Sequence, residues 1–180
     1  DNLWDQNASN DTLVGGAGDD YLSTYSGTGS DSLDGGAGND ILNGGAGSDT
    51  LAGGLGDDNI NGGTEADTVT YAASSNGVVI NSAFASTGSL TVTGEGTDTL
   101  SLIENFIGSS FADTINGDSQ NNNISGGDGN DTLNGGGGRD TLNGDDGNDL
   151  IQSGDFDAGA NAIITIANAP NVREGATGQT

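Results

Sequence analysis

Gly35-Gly36-Ala37-Gly38-Asn39-Asp40-Ile41-Leu42-Asn43 runs directly into Gly44-Gly45-Ala46-Gly47-Ser48-Asp49-Thr50-Leu51-Ala52, and then into Gly53-Gly54-Leu55-Gly56-Asp57-Asp58-Asn59-Ile60-Asn61. All three nonamers share one form, Gly-Gly-x-Gly-x-Asp-x-apolar-x. A short fixed period marks a repeat architecture, in which each unit buries its apolar residue only against its neighbours.

The pattern extends in both directions. Upstream, residues 15–23 (GGAGDDYLS) repeat it. Residues 26–34 are a weaker copy preceded by a two-residue insertion, Thr24-Tyr25, and residues 6–14 keep only Asp11 and Leu13. Downstream, residues 62–70 (GGTEADTVT) lose the middle Gly. The sixth position across this block is Asp11, Asp20, Asp31, Asp40, Asp49, Asp58 and Asp67. The eighth is Leu13, Leu22, Leu33, Leu42, Leu51, Ile60 and Val69. A second block spans residues 108–152, with its best copies at 126–134, 135–143 and 144–152. Its sixth positions are Asp113, Asn122, Asp131, Asp140 and Asp149, and its eighth are Ile115, Ile124, Leu133, Leu142 and Ile151.

Between the blocks, Val78-Val79-Ile80 and Leu90-Thr91-Val92 have strand-like composition. An isolated copy follows with Asp98 and Leu100 in register, then the loop-free stretch Leu102-Ile103-Glu104-Asn105-Phe106-Ile107. This predicts a hairpin-like insertion with a re-entry turn, joining the blocks as one stack or as two. The expected organisation is repeat block 1 over residues 1–70, the insertion over 71–107, repeat block 2 over 108–157, and a C-terminal strand and linker over 158–180. In that last segment, residues 162–166 (AIITI) read as one strand.

Composition narrows the function. The chain has 180 residues, 35 of them Gly, with 27 acidic residues against two basic ones and a formal net charge of −25. Two Arg cannot form the basic face that nucleic-acid phosphate requires. Cys and His are both absent. That removes disulfides, thiolate metal sites, the usual zinc and haem ligands and the commonest general base. No apolar run approaches 18 residues, so no membrane-spanning helix is expected. The chain opens at Asp1 without Met or a signal-peptide pattern, which predicts a piece of a longer protein. Composition alone would favour disorder, because little apolar burial opposes the backbone entropy. The register of the eighth-position residues argues otherwise, since a linker has no reason to keep it.

Each copy divides into a turn half and a strand half. Gly permits the positive φ and close packing of a tight loop. The x-apolar-x segment alternates as a strand does, one side chain in and two out. Two copies per coil give two parallel sheets facing each other across a thin core: an all-β parallel β-roll in two stacked repeat blocks. Coils about 4.8 Å apart would align the Asp side chains on one face, where like charges repel. The chain has no Lys, so the balancing cation must come from solution. Carboxylates beside curled loops with inward carbonyls make an all-oxygen site, which suits Ca²⁺ better than Mg²⁺. Several calcium ions are therefore the expected cofactor, and their binding energy would be folding energy.

These residues resemble the RTX, or haemolysin-type, family of calcium-binding nonapeptide repeats. The resemblance implies a parallel β-roll with each calcium between loops on the same side of successive coils. It implies carboxylate ligands at Asp20, Asp31, Asp40, Asp49, Asp58, Asp131, Asp140 and Asp149. Asp11, Asp67, Asp98 and Asp113, at block ends, would serve partial sites. Backbone ligands would come from Gly15, Gly16, Gly18, Gly35, Gly36, Gly38, Gly44, Gly45, Gly47, Gly53, Gly54 and Gly56 in the first block. In the second they would be Gly126, Gly127, Gly129, Gly135, Gly136, Gly138, Gly144 and Gly147. Asn122 departs from the pattern, as does the insertion Thr24-Tyr25. The resemblance also implies a secreted, extracellular bacterial protein, exported in one step and folding outside the cell. The segment VREGATG near the C-terminus resembles the opening of a Calx-β-type sandwich.

The resulting expectation is a non-catalytic, calcium-binding module that supports export and stability of its parent. Alternatives are the repeat region of an adhesin or surface-layer protein, which could bring a cell-surface or glycan partner, or the accessory domain of a secreted protease, lipase or epimerase. Ice or glycan binding through flat Thr and Asn ranks is a further reading, but Tyr21, Asp34 and Ile41 interrupt those ranks. Trp4, Tyr21, Tyr25, Tyr71, Phe84, Phe106 and Phe111 read as capping and packing residues. Asp155 and Asp157 form a short Asp-x-Asp that could hold one more ion. Glu65, Glu95, Glu104 and Glu174 are not placed together by any motif, and no Walker loop or nucleophile elbow is present.

Overall fold

A computed structural model describes residues 1–25, 27–81, 89–154 and 163–165, without the side chains of 89–92 and 164–165. Asp155, Asp157, Phe84 and the Calx-β-like segment lie outside the described residues. The chain winds as an all-β solenoid with two sheets and, among the described residues, no helix. One sheet has ten strands. In spatial order they are β1 (Asn2–Trp4), β3 (Tyr21–Ser23), β5 (Ile41–Ala46), β7 (Asn59–Thr64), β11 (Thr97–Ser101), β10 (Ser89–Thr93), β9 (Val79–Asn81), β13 (Thr114–Asn116), β15 (Thr132–Asn134) and β17 (Leu150–Gln152). The other sheet has eight: β18 (Ile163–Thr165), β16 (Thr141–Asn143), β14 (Asn123–Ser125), β12 (Asn105–Ile107), β8 (Thr68–Thr70), β6 (Thr50–Leu55), β4 (Ser32–Ala37) and β2 (Thr12–Ala17).

Eighth-position residues stack in register along both sheets. Leu3, Leu22, Leu42, Ile60 and Leu100 pair in sequence on one sheet. Leu13, Leu33, Leu51, Val69, Phe106, Ile124 and Leu142 do so on the other. All of these except the partly buried Leu3 are buried and form one continuous core. In the first block the strands reach past the apolar triplet into the loop, because Gly16 pairs with Gly36 and Gly36 with Gly54. Only Gly allows this. Gly36 has φ of +100°, and a Cβ there would strike the Gly16 carbonyl.

The two blocks form one stack. β8 pairs in parallel with β12, and β12 with β14, so this sheet passes from block to block without a gap. The other sheet takes up the insertion. β9, β10 and β11 form an antiparallel meander between β7 and β13, and β10 is the strand that runs against its neighbours. Tyr71, Val78 and Ile103 are buried at this level. The extra residues of the weaker copy also have a definite place. Thr24 continues the strand register, since its N–H donates to Asn43 and its hydroxyl to the Gly44 carbonyl, so the added length lies inside the loop after it. The aromatic residues divide. Tyr71 and Phe106 pack in the interior, and Trp4, though exposed, lies against Tyr21 on the terminal strand pair with ring centroids 5.7 Å apart; Tyr25 and Phe111 are exposed, contrary to the expectation of packing.

Candidate metal centre

Each regular loop ends in its sixth-position Asp, delivered by the strand that follows. All but the outermost, Asp11 and Asp149, are buried. From Asp31 on, Asp113 and Asn122 excepted, one oxygen is spoken for: Oδ1 accepts from the backbone N–H of the sixth residue one coil earlier, whereas Asp20 Oδ1 accepts from the Asp1 amine and Asp113 Oδ1 from Val78 N–H. The bonds run Asp20 to Asp40 and Asp40 to Asp58 at 2.8 Å, and Asp58 to Asp98 at 3.1 Å, along one edge. Asp11 to Asp31, Asp31 to Asp49 and Asp49 to Asp67, at 2.8–2.9 Å, run along the other. Asp113 to Asp131 and Asp131 to Asp149 continue the first edge, and Asn122 to Asp140 the second.

The second oxygen is different. Oδ2 of Asp20, Asp31, Asp40, Asp49, Asp58, Asp67, Asp131, Asp140 and Asp149 is buried and, among the described residues, has no hydrogen-bond partner. A buried carboxylate oxygen without a donor is costly. The first Gly of the loop shows what surrounds it. A Cβ at Gly15 would lie 2.7 Å from Asp20 Oδ2 and 2.6 Å from the carbonyl oxygen of Gly35 in the next coil. The equivalent points at Gly35 and Gly44 are flanked by Asp40 Oδ2 with the Gly53 carbonyl, and by Asp49 Oδ2 with the Gly62 carbonyl. Two oxygens from successive coils thus face one gap with no proton donor between them. At Gly126, Gly135 and Gly144 the nearest atom is likewise the Oδ2 of Asp131, Asp140 or Asp149. The gap suits a hard, oxygen-seeking cation.

Burial and the neighbouring carboxylates push these acids upward. Burial is the larger cause; it and like-charge repulsion outweigh the N–H bond that lowers them. Asp49 and Asp58 are raised to about 6, and Asp67 and Asp131 to about 7. Asp40, Asp98 and Asp140 are also raised, with burial again the leading cause. The acids are held where ionisation is unfavourable unless positive charge arrives. Among the described residues no Arg side chain reaches any of the orphaned oxygens, and no three acidic side chains converge on one point. Any ion here would therefore depend heavily on backbone carbonyls.

The loop glycines fall into two roles. Gly16, Gly36, Gly45, Gly54, Gly127 and Gly136, all second in their loops, have positive φ, as do the fourth-position Gly18, Gly38, Gly47, Gly56, Gly129 and Gly138. Gly53 and the other first-position residues line the gaps instead. Gly147 lacks the positive φ of its equivalents and lies against the Gly129 carbonyl.

Three features escaped the reading of the sequence. The fifth position forms its own ladder of opposite sense. Asp19 Oδ1 accepts from Asn39 N–H, Asn39 Oδ1 from Asp57 N–H, and Asp57 Oδ1 from Thr97 N–H, at 2.8–2.9 Å. Asn121 and Asn130 do the same for Arg139 and Asn148. The recurrence of Asn and Asp before the sixth-position residue was the available signal. Glu104 takes the place of a sixth-position Asp, accepting from Asp67 N–H at 3.0 Å. Tyr71 donates its hydroxyl to Asp98 Oδ2 at 2.8 Å. Glu104 lies nine residues before Asp113, in register with the second block, and that spacing was the available signal; Tyr71 stands at no sixth position.

The family model for the RTX calcium-binding nonapeptide repeat (4 copies) matches residues 7–29, 25–51, 34–69, 107–142 and 125–157, more than half of the chain. No curated protein matches the chain.

Proposed function

Because the chain belongs to the family of RTX calcium-binding nonapeptide repeats, we propose that it is a non-catalytic module of a secreted bacterial protein whose β-roll forms when Ca²⁺ binds outside the cell. The observation that carries this reading is the row of nine orphaned, buried Asp Oδ2 atoms. Asp20, Asp31, Asp40, Asp49, Asp58, Asp67, Asp131, Asp140 and Asp149 would hold the ions together with carbonyls of the flanking loops. Bound calcium supplies the positive charge that a chain of net charge −25 lacks. The chain's own part is to hold Oδ1 in the N–H ladder, so that Oδ2 is presented already oriented.

In low calcium the ionised carboxylates repel across the coils and oppose stacking. Calcium removes that opposition, so folding and binding are one event. Such a module folds after export and then stiffens its parent. The test is circular dichroism of the chain in EGTA and during titration with millimolar CaCl₂. A coil spectrum that converts cooperatively to β signal supports the reading, and a spectrum that never changes overturns it.

A further inference from the structure

Not every sixth-position side chain offers a free oxygen; apart from Asp11 at the outer end, whose oxygens accept from the Ser9 hydroxyl, the exceptions fall together at the middle of the solenoid. Asp98 Oδ2 accepts the Tyr71 hydroxyl at 2.8 Å in a buried contact. Asp113 Oδ2 accepts the Ser109 backbone N–H at 2.6 Å, while its Oδ1 accepts the Ser109 hydroxyl at 2.8 Å and the Val78 N–H at 2.7 Å. On the opposite edge Asn122 Oδ1 accepts from Asp118 N–H at 2.9 Å, and its amide donates to the Glu104 carbonyl at 3.2 Å. At Asp113 and Asn122 the local cause is the second loop residue. Where it has positive φ, as at Gly36, Gly54 or Asp145, the carboxylate that follows keeps an orphaned oxygen. Ser109 and Asp118 stand in that position without positive φ, and their N–H groups turn onto the sixth side chain.

We propose that the centre of the solenoid is a metal-free junction, in which Tyr71, Ser109 and Asp118 supply to Asp98, Asp113 and Asn122 the contacts that calcium supplies elsewhere. The junction divides the ions into two arrays, one from Asp20 to Asp67 and one from Asp131 to Asp149. It coincides with the antiparallel meander, where the Oδ1 ladder is also interrupted between Asp98 and Val78. A sixth-position Asp is thus no sufficient sign of a calcium ligand in this chain.

This inference rests on the calcium reading of the site, and its test separates the two. The bound calcium of the chain is counted by native mass spectrometry and by calorimetric titration for the parent sequence, Asp98→Asn, Asp113→Asn and Asp40→Asn. The expected result is an unchanged ion count for the first two variants and loss of at least one ion for the third. Loss of an ion in Asp98→Asn or Asp113→Asn overturns the junction while leaving the calcium reading intact. A parent chain that binds no calcium overturns both. Should Asp98→Asn fail to fold, Tyr71→Phe decides. Its melting temperature in saturating calcium falls if the phenol is the partner of Asp98, and stays at the parent value if calcium is.

Discussion

Asp58 accepts the backbone N–H of Asp40 on Oδ1 at 2.8 Å while its buried Oδ2 has no hydrogen-bond partner among the described residues. One carboxylate therefore does two opposed things. It stitches one coil to the next, and it leaves an uncompensated negative oxygen between them.

Asp58→Asn separates these roles. The amide oxygen can keep the ladder bond while the charge is lost. In calcium the variant should melt earlier, by the worth of a charge-assisted contact, about 1.5–3 kcal/mol. In EGTA the same variant should show no less residual β signal than the parent, because a repelling charge is gone. Thermal melts in calcium and circular dichroism in EGTA check this, and a loss in both would contradict it.

The pH response without metal should be inverted relative to ordinary acid denaturation. Asp49, Asp58, Asp67 and Asp131 have folded values of about 6 to 7 against an ordinary 3.8. A folded value above the unfolded one means that the stability these groups contribute is fully present below pH 3.8. It is lost as pH rises through 6 to 7. In EGTA, β signal should therefore grow as pH falls from 8 to 4. In calcium, affinity should weaken over the same fall, because protons compete for Oδ2. Circular dichroism against pH reads the first and calorimetry the second; a calcium-free chain that loses structure on acidification would refute the assignment.

Gly36→Ala and Gly16→Ala share a backbone problem, φ of +100° and +104°, but differ in space. At Gly36 the new Cβ meets the Gly16 carbonyl; at Gly16 it meets nothing within 4 Å. Gly16→Ala should lose about 1 kcal/mol from strain alone, and Gly36→Ala distinctly more, since backbone cannot move aside. The calcium concentration at the folding midpoint should rise in that order.

Leu42→Ala removes a fully buried member of the core ladder, between Leu22 and Ile60. A loss of about 2–5 kcal/mol is expected. Leu55, exposed at a loop position, should tolerate Ser with little change in the melting temperature. Melts of the two variants in calcium test the contrast.

Much of this was legible in the residues. The eighth-position residues give the core and the sixth-position Asp residues give the acidic edges, because a parallel stack repeats every contact at the sequence period. Legibility ends where the period breaks. The two strand-like runs within residues 71–107 announce a hairpin, and β9 and β10 do pair antiparallel, but nothing there announces that the meander would sit inside one sheet while the other closed directly from β8 to β12. Nor does the sequence mark Tyr71 as the partner of Asp98, a contact across 27 residues.

Sequence alone determined the repeat, the two-sheet coil and the need for an external cation, since spacing, side-chain alternation and net charge are properties of the chain itself. Only the tertiary structure decided which carboxylate oxygens are orphaned. That depends on whether a donor from another coil or loop reaches each one. Asp58 and Asp98 hold the same place in the repeat, yet the stack leaves Asp58 Oδ2 without a proton donor and presses a buried phenol against Asp98.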